Sequence, residues 1–436
     1  MKKALSIGLL VLVGLGLGWK WLGNPNRLHL STPEILGGVV RTDTEAGARL
    51  YYLTSQWEKR VIRTSSSRSS SNVRTIGWLN VDFWELDATT AQPISRRRIK
   101  REKVNGDSKA LGMEQGVLWA RIPELVGIRL TDGAIVVDPA KIEARNPGLA
   151  GLMPKPPQTT FLTESMQPLK FDPQAGMIVR LDDAQEMRID PLTLEATPYV
   201  ATKADRGKSE RPPTDSRTAV ISVAHGMDWR AMVRGLMTPR ADGGGVWLGL
   251  LAETELAEMR ERHAVSLEMD FTVPRRHRLY RGELTRIEGD LGARMEYRNL
   301  NALPESPEFL MAGLLTQYSN RYNGQSALWR RDPDSVFVLS YDRLGDDGRL
   351  QLARISGPNG TSVWSASLPL SKLSAWIPGE RHALMLGPNP SAKRSPMAEE
   401  GENPVMQVVA IDLVSGAVNS FNPDLHRDWP VEPLPK

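Results

Sequence analysis

Val408–Phe421 reads VVAIDLVSGAVNSF. An apolar run rich in β-branched residues leads into Asp412, and a second run, Ala417–Phe421, leaves the turn. Between them stand Leu413, Val414, Ser415 and Gly416. Asp caps its own backbone in such turns, and Gly supplies the positive φ that a tight reversal needs. The stretch therefore reads as a β-hairpin turning over Asp412–Gly416.

The phrase recurs. Phe83–Pro93 is FWELDATTAQP, Gly127–Pro139 is GIRLTDGAIVVDP and Arg188–Pro198 is RIDPLTLEATP. A related form, LARISGPNGTSVWSASL, fills Leu352–Leu368. Asp87 and Asp132 are 45 residues apart, Asp132 and Asp190 are 58, and Ser356 and Asp412 are 56. A hairpin at a fixed place in a larger unit of this length points to propeller blades with insertions, whereas sandwich strands recur without such a phrase.

Outside the repeat the body is short alternating apolar runs separated by turns, including Arg49–Thr54, Val81–Leu86, Gly245–Leu250, Ser266–Phe271 and Ser335–Tyr341. Helical signals are few, and 31 Pro and 37 Gly oppose long helices. Glu253–Arg262, ETELAEMRER, is one helix. It is expected to rest Leu256 and Met259 on the preceding strand and to turn Glu255, Glu258, Glu261 and Arg262 outward. Pro304–Leu315 could form a second. Polar tracts near 65–71, 205–217 and 387–404 read as flexible insertions between strands.

These units resemble the blades of β-propellers of the pyrroloquinoline-quinone-dehydrogenase and WD40-like kind, in which a strand leads through Asp and Thr-Gly to a second strand with Trp. VAIDLVSGAV is the nearest match and SGPNGTSVWSASL the next. The whole chain is similar to membrane-anchored propeller proteins of Gram-negative bacteria. The resemblance implies an all-β fold of seven or eight blades at roughly 50 residues each, seven when insertions take up length. It does not imply the quinone chemistry, because those enzymes carry a vicinal Cys pair and this chain has no Cys.

The N-terminus is an address. Lys2 and Lys3 precede an uncharged run, Ala4–Trp19, which reaches Leu22 if Lys20 snorkels. Residues 1–23 read as a signal anchor with residues 4–22 in the bacterial inner membrane and the body in the periplasm; a cleaved export signal is the alternative. Residues 24–40 read as a linker and 41–436 as a single propeller domain. Residues 1–22 hold three Lys, and without them 52 basic residues face 51 acidic ones. Such a balance gives no footing for nucleic acid.

No catalytic, cofactor or metal residue is assigned. The absence of Cys removes thiol catalysis, Cys zinc sites and Fe–S clusters, and the six His have no ligand spacing. No nucleophile elbow, H-E-x-x-H or P-loop occurs. Two basic runs stand out, RRRIKREK at Arg96–Lys103 and PRRHRLYR at Pro274–Arg281. The first is expected on a solvated edge or loop, with phosphate or anionic lipid as the alternative; the second could meet an acidic partner. Trp78, Trp84, Trp119, Trp247, Trp329 and Trp364 are expected to pack between blades rather than to form stacking platforms. The functional expectation is a protein-interaction or scaffold module with a partner in the cell envelope. The alternative is a hydrolase or quinone-type oxidoreductase with a funnel site built from several blade loops.

Overall fold

The computed structural model of the 436-residue chain describes residues 28–44, 47–67, 70–103, 108–155, 168–172, 175–200, 218–222, 227, 231–241, 244–262, 273–287, 294–319, 326–328, 335–345, 347–392, 404–426 and 431. The anchor segment 4–22, the tract 205–217, the run Ser266–Phe271 and Trp329 lie outside them. Among the described residues no helix is long and apolar enough to cross a membrane.

The fold is built from antiparallel sheets, none closed on itself. The first opens with β1 (Leu28–Leu30), β2 (Glu34–Thr44), β3 (Gly47–Ser67), β4 (Ser70–Asp87) and β5 (Pro93–Glu102). The second is β6 (Lys109–Glu114), β7 (Val117–Ile122), β8 (Glu124–Arg129) and β9 (Ile135–Val137). Helix α1 (Pro139–Arg145) leads to the third, β10 (Leu169–Asp172), β11 (Gly176–Arg180), β12 (Glu186–Ile189) and β13 (Ala196–Pro198). Then β14 (Thr218–Ser222) returns to the first sheet and pairs with β2.

The fourth sheet joins two four-stranded meanders. One holds β16 (Gly235–Pro239), β17 (Gly245–Leu251), β18 (Arg276–Ile287) and β19 (Arg294–Ala302), with α2 (Glu253–Arg262) between β17 and β18. The other holds β20 (Phe309–Ser319), β22 (Ser335–Tyr341), β23 (Leu350–Ser356) and β24 (Ser362–Ser367). Short β15 (Met232–Val233) and β21 (Ser326–Leu328) pair with β20, and β18 touches β20 at Arg276↔Leu310 and His277↔Phe309. The last sheet is β25 (Ala375–Ile377), β26 (His382–Asn389), β27 (Val405–Asp412) and β28 (Val418–Phe421).

The inner strands bury both faces, and apolar layers lie between neighbouring meanders, five of them among the described residues. Val81 and Phe83 of β4 meet Leu118 and Ile128 of the second sheet. Trp119 and Val137 meet Met177 and Ile189 of the third. Leu250 and Leu279 meet Leu314 and Val338 across the fourth. Phe337 and Leu352 meet Met385 and Ile411 of the last. The last then meets the first, with Trp84, Tyr52 and Leu86 against Ile377, Val408 and Phe421. Trp84, Trp119 and Trp364 pack in layers between meanders as expected, whereas Trp247 is buried within its own meander beside α2 and Trp78 is half-buried under Arg101.

The recurring phrase is one turn used five times, each time between the third and fourth strands of a meander. Asp412 Oδ1 accepts the N–H groups of Val414 and Ser415, Gly416 N donates to the Asp412 carbonyl, and Asp412 N donates to Ala417. The same ring closes over Asp87–Gln92 and Asp190–Glu195, where Ala91 and Leu194 take the positive φ. Ser356–Thr361 repeats it with Gly360. In the second sheet the first place belongs to Arg129, three residues before the Asp132 that the sequence spacing selects; Gly133 N donates to the Arg129 carbonyl. The backbone N–H groups of Ser415 and Val414, with Arg381, hold the Asp412 carboxyl down at about 2 against the opposing effect of burial.

Gly416 has φ +76, and a Cβ there would sit 2.8 Å from Trp364 Cδ2. Gly416→Val is expected to destabilise by about 2 kcal/mol or more, from left-handed strain and overpacking together. Urea unfolding checks this, and an unchanged midpoint would mean that the turn does not bear on Trp364.

Several expectations are corrected. The linker 24–40 is largely strand, because Leu36, Val39 and Val40 bury into the first layers. Ser65–Ser67 and Ser70–Ser71 are no insertion between separate strands but the paired end of the β3–β4 hairpin. Gly387–Asn389 of the third tract belongs to β26. Pro304–Leu315 is not a helix: Phe309–Ser319 is β20, held between β18 and β22, and tertiary pairing overrides its helix formers. Helix α1, which the sequence reading does not include, starts where the hairpin phrase ends: Asp138 caps Lys141 N and Pro139 stands at its first position.

Candidate functional site

The two basic runs lead to the two clusters of buried charge. RRRIKREK forms most of β5, the edge strand of the first sheet, but it is only partly solvated, because Arg96 and Ile99 are buried. Alternation sends Ile99 into the layer facing the second sheet, while Arg96 and Arg98 lie on the opposite face of β5, beside Asp82 of β4. Asp82 is 1% exposed and Arg96 2%. Arg96 Nη2 donates to Asp82 Oδ2 at 2.6 Å and Nε at 3.0 Å, and Arg98 Nε donates to Oδ1. Arg98 also reaches Asn80 at 2.8 Å; Asn80 donates to Glu58, and Arg101 Nη2 donates to Glu58 Oε1 at 2.7 Å. Two indole faces carry guanidinium groups, Trp84 beneath Arg96 at 5.0 Å and Trp78 beneath Arg101 at 4.9 Å. A chain of alternating charge with bidentate geometry satisfies its own buried groups and fixes the β4–β5 register.

PRRHRLYR opens β18 and supplies half of the second cluster. Glu255, the third residue of α2, does not face outward. Its Oε2 accepts Ala252 N at 2.8 Å, as a helix-capping carboxylate does, and Arg234 Nη1 at 2.9 Å. Arg275 Nη1 donates to Oε1 at 2.8 Å, and His277 Nε2 lies 3.7 Å from Oε2. Burial alone would raise the Glu255 carboxyl; the Ala252 N–H, Arg234 and Arg275 outweigh it and hold it low. Leu256 and Met259 rest beside Trp247 and Leu251 of β17 as the helical spacing predicts.

His277 is 3% exposed, and among the described residues neither ring nitrogen has a hydrogen-bond partner within normal geometry. Burial, with Arg234 next, pushes its pKa down to about 4, so the ring is neutral in the fold. Unfolding lets the ring bind a proton below its ordinary value near 6.5. Its contribution to stability is therefore constant above about pH 7 and falls as the pH drops toward 4, by about 2 kcal/mol between pH 7 and pH 5. His277→Phe is expected to flatten that window in urea titrations, while acid loss below pH 4.5 from Glu255 persists. A wild-type curve flat from pH 7 to 5 would contradict the buried neutral ring.

A cleft of about 250 Å³ opens beside this cluster, lined by Arg276, Glu308, Tyr341, Asp342, Gln351 and Ser365 among others. Arg276 and Arg278 each stand 3.8 Å from Glu308, and Asp342 Oδ1 accepts Arg349 N at 2.7 Å. Burial raises the Tyr341 hydroxyl, which stays protonated. The cleft offers polar groups of both signs. Among the described residues no group of three or more His, Asp or Glu is placed to hold a metal ion.

No protein-family model matches the chain, and no curated protein matches it. Among solved structures, the chain is similar to one described as a 6-phosphogluconolactonase from Bacteroides fragilis, at 10% identity over 89% of this chain and 94% of that one, with a TM-score of 0.20. A score that low does not superpose two folds, and nothing about fold or chemistry follows from it.

Proposed function

We propose that the meanders are the blades of a β-propeller, held at the bacterial inner membrane by residues 4–22 with its body in the periplasm, and that it serves as a scaffold for a protein partner of the cell envelope. The observation that carries the propeller is the last apolar layer, in which Trp84 of the first sheet meets Phe421 of the last. A last sheet that packs back on the first is the contact a ring of blades requires. The described strands make six such units, and the seven expected from the repeat length remain part of the proposal. The scaffold reading is supported by how the buried carboxylates are used: Asp82 pairs with Arg96, and Glu255 with Arg234, each tying neighbouring segments together.

Two measurements test this. The chain has no Cys, so Val200→Cys, at an 80% exposed position, carries a single label. A membrane-impermeant maleimide should label it in intact spheroplasts; protection until lysis would place the body in the cytoplasm. Crosslinking the full chain in its own membranes should recover one envelope protein in near-stoichiometric amount. Recovery of the chain alone would contradict the scaffold.

A further inference from the structure

The cleft of about 250 Å³ has a polar floor and a charged mouth. The floor is one face of the meander of β20, β22, β23 and β24. Ser340 pairs with Gln351 and Ala353 with Ser365, and Gln351 and Ala353 stand two apart on β23, so all four share that face. Ser340 is only 4% exposed, yet among the described residues its hydroxyl has no hydrogen-bond partner, and neither has the Gln351 amide. A buried hydroxyl left unpaired costs free energy that a bound polar group recovers.

The mouth carries both signs. Arg276 pairs with Leu310 and Leu310 with Tyr341, so the backbones of Arg276 and Tyr341 lie two strand spacings, roughly 10 Å, apart across β20, and Asp342 follows Tyr341. Arg276 is exposed and stands 3.8 Å from Glu308, a carboxylate it shares with Arg278. Asp342 accepts Arg349 N through Oδ1, and among the described residues no cation pairs with it.

This set of groups selects its occupant. An anion would face Asp342 and Glu308, and a cation would face Arg276. A neutral sugar would leave the charges idle, and Phe309, 6% exposed, offers no open ring for it to stack on. A zwitterion meets both signs at once. The volume falls below the roughly 300–1,000 Å³ of drug-sized pockets, so the molecule is small.

We propose that the cleft binds a free α-amino acid with an uncharged polar side chain. Arg276 takes its carboxylate, Asp342 its ammonium group, and Ser340, Gln351 and Ser365 hydrogen-bond its side chain. The site does not depend on the scaffold reading. The probes are L-glutamine, L-asparagine and L-serine, added to the full chain in detergent micelles and followed by saturation-transfer NMR. At least one should bind at millimolar concentration. Its N-acetyl and carboxamide derivatives each lack one charge and should bind roughly tenfold more weakly, the loss of one charge-assisted contact. Arg276→Gln should weaken the parent amino acid roughly tenfold and leave its carboxamide unchanged. Asp342→Asn should weaken the parent likewise and leave its N-acetyl form unchanged. Both side chains are exposed, so both variants should match wild type in urea unfolding. If none of the three amino acids binds, the proposal is overturned. Binding that neither variant weakens puts the ligand elsewhere and overturns it too. Glucose bound as tightly as the best amino acid would make the cleft a sugar site, against the proposal.

Discussion

Asp82→Ala is expected to destabilise the protein by about 3–5 kcal/mol, the cost of breaking a buried pair from one side. Arg96, 3% exposed at its side chain, would be left without its carboxylate inside the layer beside Trp84. Arg98 is less trapped, being 27% exposed, and can turn to water. The mechanism has a second consequence. Asp82→Leu combined with Arg96→Met removes both charges and should recover much of the loss, since an apolar pair of similar volume is often as stable as a buried ion pair. Urea unfolding measures both. A single variant within about 0.5 kcal/mol of wild type, the range of surface substitutions, would mean that the cluster is hydrated.

Glu255→Ala should cost about 3 kcal/mol or more, because it strands the buried Arg234 and deprives Ala252 N of its capping acceptor. The exposed Glu261 of the same helix provides the contrast, and Glu261→Lys is expected to stay within about 0.5 kcal/mol. Equal, small effects at both positions would return Glu255 to the outward face that the helix pattern suggests. Leu256→Asp should lower the melting temperature, since Leu256 packs beside Met259 and Trp247.

What the sequence makes legible here is local. The turn over Asp412–Gly416 can be read because one carboxylate caps two N–H groups and one residue needs positive φ, all within six positions. The reading slips at Asp132 for the same reason: Gly133 keeps the turn, but Arg129 stands where its sister turns have Asp, so the eye aligns the wrong residue. The helix at 253–262 is legible on its apolar side, Leu256 and Met259, and misread on its polar side. A carboxylate looks solvated until strands some twenty residues away bring Arg234 and Arg275 to it. Likewise RRRIKREK reads as a charged edge because its counter-charge, Asp82, lies across a bulged strand pair. Burial of charge depends on partners distant in sequence, and no local pattern announces them.

The most direct test of the ring is a double-mutant cycle between Trp84 and Phe421, whose rings meet at 5.5 Å between the first and last sheets. Trp84 lies in the first sheet and Phe421 in the last, so their coupling reports whether those two sheets pack together, as a ring requires. Trp84→Ala, Phe421→Ala and the double variant are compared by urea unfolding of the full chain. Closure requires a coupling of about 0.5–1.5 kcal/mol, the range for a buried aromatic pair beyond its area. Effects that add to within about 0.3 kcal/mol would separate the two sheets and contradict the ring.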